Sequence, residues 1–459
     1  MALSYSDDAE HTWSSGLTFI LAAVGAAVGL GNIWKFPYVV GVSGGGAFVI
    51  VYLICVVFVA IPILIGELLI GRRGSHSPPV AMHDVAVGAG RSKWWSVVGW
   101  MGVTVGFLIA TYYSVIAGWT LAYIGKAING FGGAAPAEVA SQFDSMQADP
   151  AMMTLWHTVF IIIALFIVGR GLKDGIEKTV KFLMPSLFVM LVVMIGYAAI
   201  EGDFKAGWDF LFSTDFSKID GKTVLIAIGQ AFFSIGVAMG LMMAYGAYVP
   251  KRVSITKSAV IIAGADTFVA LLAGLMIFPI VFANNLDPGS GPGLIFRTLP
   301  TAFAGMQGGA IFGSLFFLLL AFAAVTSIIA IIEPIVAYAE DKWNMRRRNG
   351  CILFGSIAWF IGLASVFSFN ILAGFAPLGM FDAFAGVTLY GLIDYLTANL
   401  LMPLGGILIA LFVGWRLQPE VLAEELSFGS KALYLTWLWL IRVVAPVAIL
   451  AIMIGSVTE

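Results

Sequence analysis

The chain has 459 residues, of which 60% are hydrophobic and 11% charged, and 24 Lys+Arg against 26 Asp+Glu leave a formal charge of −2. A soluble domain carries about 25% charged and roughly 45–50% apolar residues, so this chain cannot cover a water-facing surface and reads as an integral membrane protein. No basic excess exists to neutralise nucleic-acid phosphates, and two cysteines (Cys55 and Cys351, both in or beside apolar runs) with four histidines make neither a disulfide framework nor a metal cluster.

A bilayer core takes about 20 apolar residues per helix. In chain order such runs fall at 16–38, 46–70, 95–125, 153–169, 178–200, 223–248, 258–283, 306–339, 351–369, 391–415 and 433–456, which predicts eleven spans and no second folded domain. The acidic start, with Asp7, Asp8 and Glu10, lacks the basic lead of a cleavable signal, so the first run is expected to be kept. Seventeen Lys and Arg fall in loops on the N-terminal side of the membrane, among them Arg72, Arg73, Lys178, Lys181 and Arg346 to Arg348. The opposite loops hold five: Lys126, Lys205, Lys218, Lys222 and Arg297. That bias predicts a cytoplasmic N-terminus and an external C-terminus. The small net charge therefore hides a strong separation across the membrane.

Spans 1 and 6 are interrupted in a related way. Span 1 contains Gly25, Gly29, Gly31, Asn32 and Pro37, and span 6 contains Ser234, Gly236 and Gly240. Glycine inside a helix costs about 1 kcal/mol against alanine, and backbone opened at midplane depth is tolerated only in a cavity or in protein. Close helix packing is the plain explanation of either cluster. Interruptions at matching places of a five-plus-five repeat instead mark a transporter's binding site. Asn32 and Ser234 add side-chain oxygens beside the freed carbonyls, the donor chemistry that a hard cation such as Na⁺ requires.

At these residues the chain resembles the neurotransmitter:sodium symporter family in its bacterial, eleven-span branch. The resemblance rests on Gly25 to Pro37, Gly44 to Phe48, Gly66-Glu67, Gly71-Arg72, Tyr112-Tyr113, Gln230 to Ser234, Thr326-Ser327 and Asp394 to Thr397, nearly the length of the chain. It implies an all-α, leucine-transporter-type fold: a cytoplasmic segment 1–15, a first repeat 16–200, an extracellular loop 201–222, an inverted second repeat 223–416, and a loop with one extra helix 417–459. It also implies sodium-coupled import of an amino acid by alternating access across a bacterial inner membrane.

Two sodium sites follow from the same resemblance: the first from Ala27, Asn32, Ser234 and Asp266 with the substrate's carboxylate, the second from Gly25, Val28, Ala323, Thr326 and Ser327. Thr326 and Ser327 are adjacent and Ala323 lies a turn earlier, so one carbonyl can sit near both hydroxyls. Hydroxyls in apolar helices otherwise tend to bond back to their own backbone. Glycine at position 29, where monoamine carriers have aspartate, implies an amino-acid substrate whose carboxylate meets Tyr113 and the amides near Leu30 and Gly31. The side-chain pocket would be lined by Ala26, Ile109, Ile116, Phe233, Gly236, Met239, Ile328 and Ile331. Without a charge among them, a neutral hydrophobic or aromatic side chain is expected.

Charged groups within the spans each need a partner. Lys35 and Asp394 match the family's outer gate, with lysine in place of the usual arginine, and Asp382 is a rival partner. Trp13, Tyr248 and Asp341 match the inner gate, but its basic partner is missing: Glu10 and His11 stand near that position. Glu67 is expected to cap amides released by the break in span 6. Glu333 is either silent or a proton carrier. Asp266 replaces the family's usual asparagine, which implies fixed negative charge beside the first sodium and transport without chloride. Gly175 and Pro185 imply local unwinding at the start of span 5.

Other functions fit less well. Gly41-Val42-Ser43-Gly44 spells the GxSG of intramembrane serine proteases, which need a histidine base, and only His157 begins a span. A non-transporting amino-acid sensor of the same fold is the further alternative. The expected partners are a small amino acid and membrane lipid, with no nucleic acid and no obligatory protein partner readable.

Overall fold

The computed structural model describes residues 12–291 and 293–458. Nine helices among these are long and apolar enough to cross a membrane: Gly46–Gly74, Lys93–Ile128, Pro150–Val168, Leu172–Glu201, Ile255–Ala283, Gly309–Trp343, Arg347–Phe367, Leu389–Arg416 and Lys431–Gly455. The pair Gly16–Ala27 and Gly31–Val42, bent by 48°, is span 1. Gly221–Ile235 and Leu241–Ala247 make span 6. Each expected run is thus helical, and spans 1 and 6 are the ones that break.

Local chemistry sets the helix starts. Ser15, Asp149, Asp220 and Ser254 each place a side-chain oxygen on a first-turn amide, at Thr18, Ala151, Thr223 and Lys257. Between spans, the stretches Pro78–Gly88, Pro136–Ala148, Phe204–Phe212, Leu299–Gly305 and Pro419–Glu425 are also helical, where hydropathy had pointed only to loops.

Spans 3 and 8 pack against each other along the centre of the bundle, and the two broken spans lie against them. The break in span 6 is a run of positive φ: Gly236 at 73°, Ala238 at 64° and Gly240 at 76°. Glycine adopts such angles without a Cβ clash; Ala238 is held there because its amide donates to Glu67 Oε1 at 3.1 Å. Glu67 therefore caps the break as expected.

Span 5 differs from expectation. The backbone from Leu172 to Glu201 is one continuous helix that includes Gly175 and Pro185, and its first turn is widened instead of unwound. The reason lies in packing: the Gly175 backbone abuts the carbonyl of Ile167, so the turn is seated on the end of span 4. Glu177, buried in the same turn, accepts from the Ser14 amide and hydroxyl, both at 2.8 Å.

Candidate functional site

Residues from spans 1, 6 and 7 meet at the first break. Asn32 Nδ2 donates to Asp266 Oδ1 at 2.7 Å, to the Asp266 carbonyl at 3.0 Å and to Ser234 Oγ at 3.1 Å. Ser234 Oγ donates to Asp266 Oδ2 at 2.7 Å, Tyr52 OH donates to Ser234 Oγ at 3.4 Å, and the Gly29 amide donates to Asn32 Oδ1 at 3.1 Å. Asn32 and Asp266 are fully buried and Ser234 nearly so. A carboxylate enclosed in this way needs positive charge or donors close by, and here it has two side-chain donors beside the opened backbone at Ala27 to Leu30.

On the other side of span 1 lies span 8. Ser327 Oγ donates to the Ala26 carbonyl at 3.1 Å, while Thr326 Oγ1 turns back to Ala323 at 3.0 Å and Phe322 at 3.2 Å. The Gly25 backbone faces Thr326: a methyl there would stand 3.3 Å from Thr326 Cβ. Val28 is the extended residue that ends the first half of span 1, with φ −69° and ψ 98°. The residues expected for the second sodium site thus share one small region at the break.

Between these clusters is a space of about 360 Å³ lined by Ala26, Leu30, Gly31, Ile109, Tyr113, Phe233, Ser234, Gly236, Met239 and Ile331, together with Ala27, Gly29, Leu241 and Ser327. The Leu30 amide donates to Tyr113 OH at 3.4 Å, which sets the phenol beside the amides freed by the break. No ionisable carboxylate, ammonium, guanidinium or imidazole lines this space. Two expected lining residues fall elsewhere. Ile116 borders a second space, of about 430 Å³, with Lys35, Tyr38, Tyr112, Tyr390 and Asp394, and Ile328 is packed in the core.

Lys35 and Asp394, expected as the outer gate, share that second space but make no ion pair with each other. Among the described residues, no acid lies within 4.0 Å of Lys35; its ammonium sits over the Phe233 ring, 4.1 Å from the centroid. Lysine is a flexible point charge without arginine's planar fork, and an aromatic face offers it a cation–π partner instead.

At the opposite end of the bundle, Trp13 Nε1 donates to the Tyr245 carbonyl at 3.0 Å and the Trp13 amide to the Tyr248 carbonyl at 3.1 Å. Asp341 does not join them: it accepts from the Ser77 amide at 2.6 Å. Glu10 and His11 lie outside the described residues. The charged group at Tyr248 is Glu333, which accepts from Tyr248 OH at 3.0 Å and is paired with Arg347. Arg347 also reaches Glu340 at 2.8 Å and donates to the Val168 carbonyl at 2.7 Å. Sequence reasoning missed Arg347 among the basic residues of its loop. Glu333 in a span already demanded a cation, and that demand was the available signal. His157 hydrogen-bonds Ser114 at 3.0 Å and is not a base for Ser43.

Broken spans crossing beside a buried oxygen cluster and an uncharged space are the build of a membrane transporter. The family model described as "Sodium:neurotransmitter symporter family" matches residues 10–131 and 139–459, and the chain belongs to that family. An uncharacterised sodium-dependent transporter of Bacillus subtilis, YhdH, is 34% identical over 97% of both chains. One from Haemophilus influenzae is 32% identical over 97% of this chain and 98% of its own. Among solved structures, that of MhsT in complex with L-phenylalanine has a TM-score of 0.88 at 40% identity, covering 97% of this chain and 99% of the other. The protein is a sodium-dependent symporter with many membrane spans, and not an enzyme.

Proposed function

We propose that this symporter carries a neutral hydrophobic amino acid, aromatic ones included, with two sodium ions and without chloride. The carrying observation is the uncharged space among Ala26, Ile109, Phe233, Gly236, Met239 and Ile331, which ends at the Tyr113 hydroxyl and the Asn32–Ser234–Asp266 cluster. The amino acid's carboxylate would face Tyr113 and the amides of Leu30 and Gly31, and would complete the first sodium site with Ala27, Asn32, Ser234 and Asp266. A cationic or anionic side chain would enter unpaired, at a cost of several kcal/mol. MhsT, whose structure was solved with L-phenylalanine, supports the choice of side chain.

The second sodium would sit on Gly25, Val28, Ala323, Thr326 and Ser327, tying span 1 to span 8. Asp266 supplies the negative charge that would otherwise come from an anion. Closure on the outside would bring Lys35 to Asp394 over Phe233; opening on the inside would release Trp13 from Tyr245 and Tyr248. The membrane would be a bacterial inner membrane, and the loop bias of Lys and Arg supports an N-terminus in the cytoplasm and a C-terminus outside. In proteoliposomes, labelled phenylalanine and leucine should accumulate when Na⁺ is higher outside, equally in chloride and gluconate. No concentrative uptake of any of the twenty amino acids would defeat the proposal; uptake lost in gluconate would defeat its chloride clause.

A further inference from the structure

Arg442 is a charge inside a span that the transport reading does not use. It is the twelfth residue of the helix Lys431–Gly455, which puts it about 16 Å along the axis at 1.5 Å per residue. An ionised group there needs a partner. Among the described residues, no acid lies within 4.0 Å of it; its Nε donates to the Gly414 carbonyl at 2.5 Å, and its guanidinium lies 5.2 Å from the centroid of the Trp415 ring. The bond to Gly414 caps the end of span 10. It uses one N–H of the several that an arginine carries, and among the described residues the others make no hydrogen bond.

The surroundings are built to hold that side chain at the edge of the bundle. The turns Phe412–Arg416 and Leu440–Val444 are both widened, and they pack against each other; widened turns recur at functional sites. Trp415 Nε1 donates to the Arg442 carbonyl at 3.3 Å. Gly414 makes room for the Arg442 stem, since a Cβ there would stand 3.0 Å from Arg442 Cγ. Outside the guanidinium the surface is apolar and aromatic: Trp415, Trp439 and Val443 are exposed, as rings at a membrane boundary are. Two more arginines stand at this helix end. Arg416 is exposed, and Arg91 Nε donates to its carbonyl at 2.8 Å. Among the described residues, neither has an acid within 4.0 Å.

The missing partner must be an anion, and it must come with hydrocarbon. A guanidinium fork matches two phosphate oxygens at once. Three cations without a counter-charge favour a headgroup of net negative charge and repel one that carries its own ammonium. We propose that this corner between spans 10 and 11 binds one anionic phospholipid, with its phosphodiester on the Arg442 guanidinium, its headgroup toward Arg416 and its acyl chains along Trp439 and Val443. The lipid supplies the counter-charge of span 11 and ties that helix to the end of span 10. The corner lies on the side where Lys and Arg concentrate, so the lipid belongs to the inner leaflet. The leaflet rests on the proposed orientation; the binding does not.

The full-length protein in neutral detergent is titrated with dioleoylphosphatidylglycerol and, for comparison, dioleoylphosphatidylcholine, and bound lipid is counted by native mass spectrometry. One phosphatidylglycerol per chain should bind roughly tenfold more tightly than phosphatidylcholine. Arg442→Gln should abolish that preference, and Arg442→Lys should keep only part of it, because an ammonium lacks the fork. Arg348→Gln, at an exposed arginine where span 9 begins, should change nothing. In nanodiscs, phosphatidylglycerol should raise the thermal midpoint of the parent and not that of Arg442→Gln. Glycerol 3-phosphate in large excess should not displace the lipid. Equal binding of the two lipids, a preference kept in Arg442→Gln, or one lost equally in Arg348→Gln overturns the site; displacement by glycerol 3-phosphate makes a free phosphate ester the ligand and overturns the lipid. Should Arg442→Gln fail to fold, Trp415→Leu decides. It leaves the bond to Gly414 in place and removes the ring under the guanidinium, so phosphatidylglycerol binding should fall roughly threefold; unchanged binding overturns the proposal.

Discussion

Replacing Asp266 by asparagine removes a charge and keeps a shape. The carboxylate is fully buried and bonded at 2.7 Å to both Asn32 Nδ2 and Ser234 Oγ, so a cation on those two side chains lies about one atom further away. At roughly 4 Å and an effective dielectric near 20, opposite charges attract by about 4 kcal/mol. An amide dipole with its oxygen toward the ion retains part of that attraction, and burial of the carboxylate offsets more. A net loss of about 1.5–3 kcal/mol is left, which is about ten- to a hundredfold in affinity. The assay is binding of labelled phenylalanine to purified protein across a Na⁺ titration, in chloride and in gluconate. Asp266→Asn should raise the Na⁺ concentration for half-saturation at least tenfold while the thermal midpoint stays within a few degrees of the parent. A folded variant whose Na⁺ dependence moves by less than twofold would show that Asp266 is not beside a sodium ion.

Three further outcomes test the other parts. Thr326→Ala should weaken Na⁺-dependent substrate binding at least tenfold and Thr326→Ser much less, because serine keeps the hydroxyl; equal effects in the same titration would reduce Thr326 to a packing residue. Gly29→Ala should cost about 1–3 kcal/mol of substrate binding, since the methyl would meet the Ser327 hydroxyl and stand 3.1 Å from Tyr113 OH; unchanged phenylalanine affinity would place the substrate elsewhere. Arg347→Gln should destabilise by about 3–5 kcal/mol, because it strands a buried carboxylate at Glu333. In the double variant with Glu333→Gln much of that loss should return in thermal unfolding, and additive losses would mean the two groups are not coupled.

The spans were legible because a bilayer imposes one length and one polarity on every helix, and the two breaks were legible because glycine clusters have a cost that needs a reason. The positions of Asn32, Ser234, Asp266 and the pocket residues followed from the family motifs, and all but Ile116 and Ile328 converge. Short helices such as Pro136–Ala148 were missed: they are polar outside the membrane and carry no twenty-residue apolar signal. Neither the turn of Lys35 onto Phe233 nor the pairing of Asp341 with the Ser77 amide could be read, since each depends on which of several neighbours a side chain reaches in three dimensions. Gly175 shows the same limit from the other direction. A glycine that suggested unwinding is there because the Ile167 carbonyl leaves no room for a Cβ.

The inner half of span 6 is riveted to span 2. Glu67 holds its broken start, the Gly71 backbone abuts the Met243 carbonyl, and a methyl on Gly246 would stand 2.9 Å from the Leu68 carbonyl. Backbones this close, with no side chains between them as a lubricating layer, do not slide without losing many contacts together. Under the proposed transport cycle, movement would fall instead on the inner half of span 1, which is fastened to Leu241–Ala247 and the turn after it through Trp13. One wall would then be the door frame and the other the door, with the hinge at the broken stretch from Val28 to Leu30.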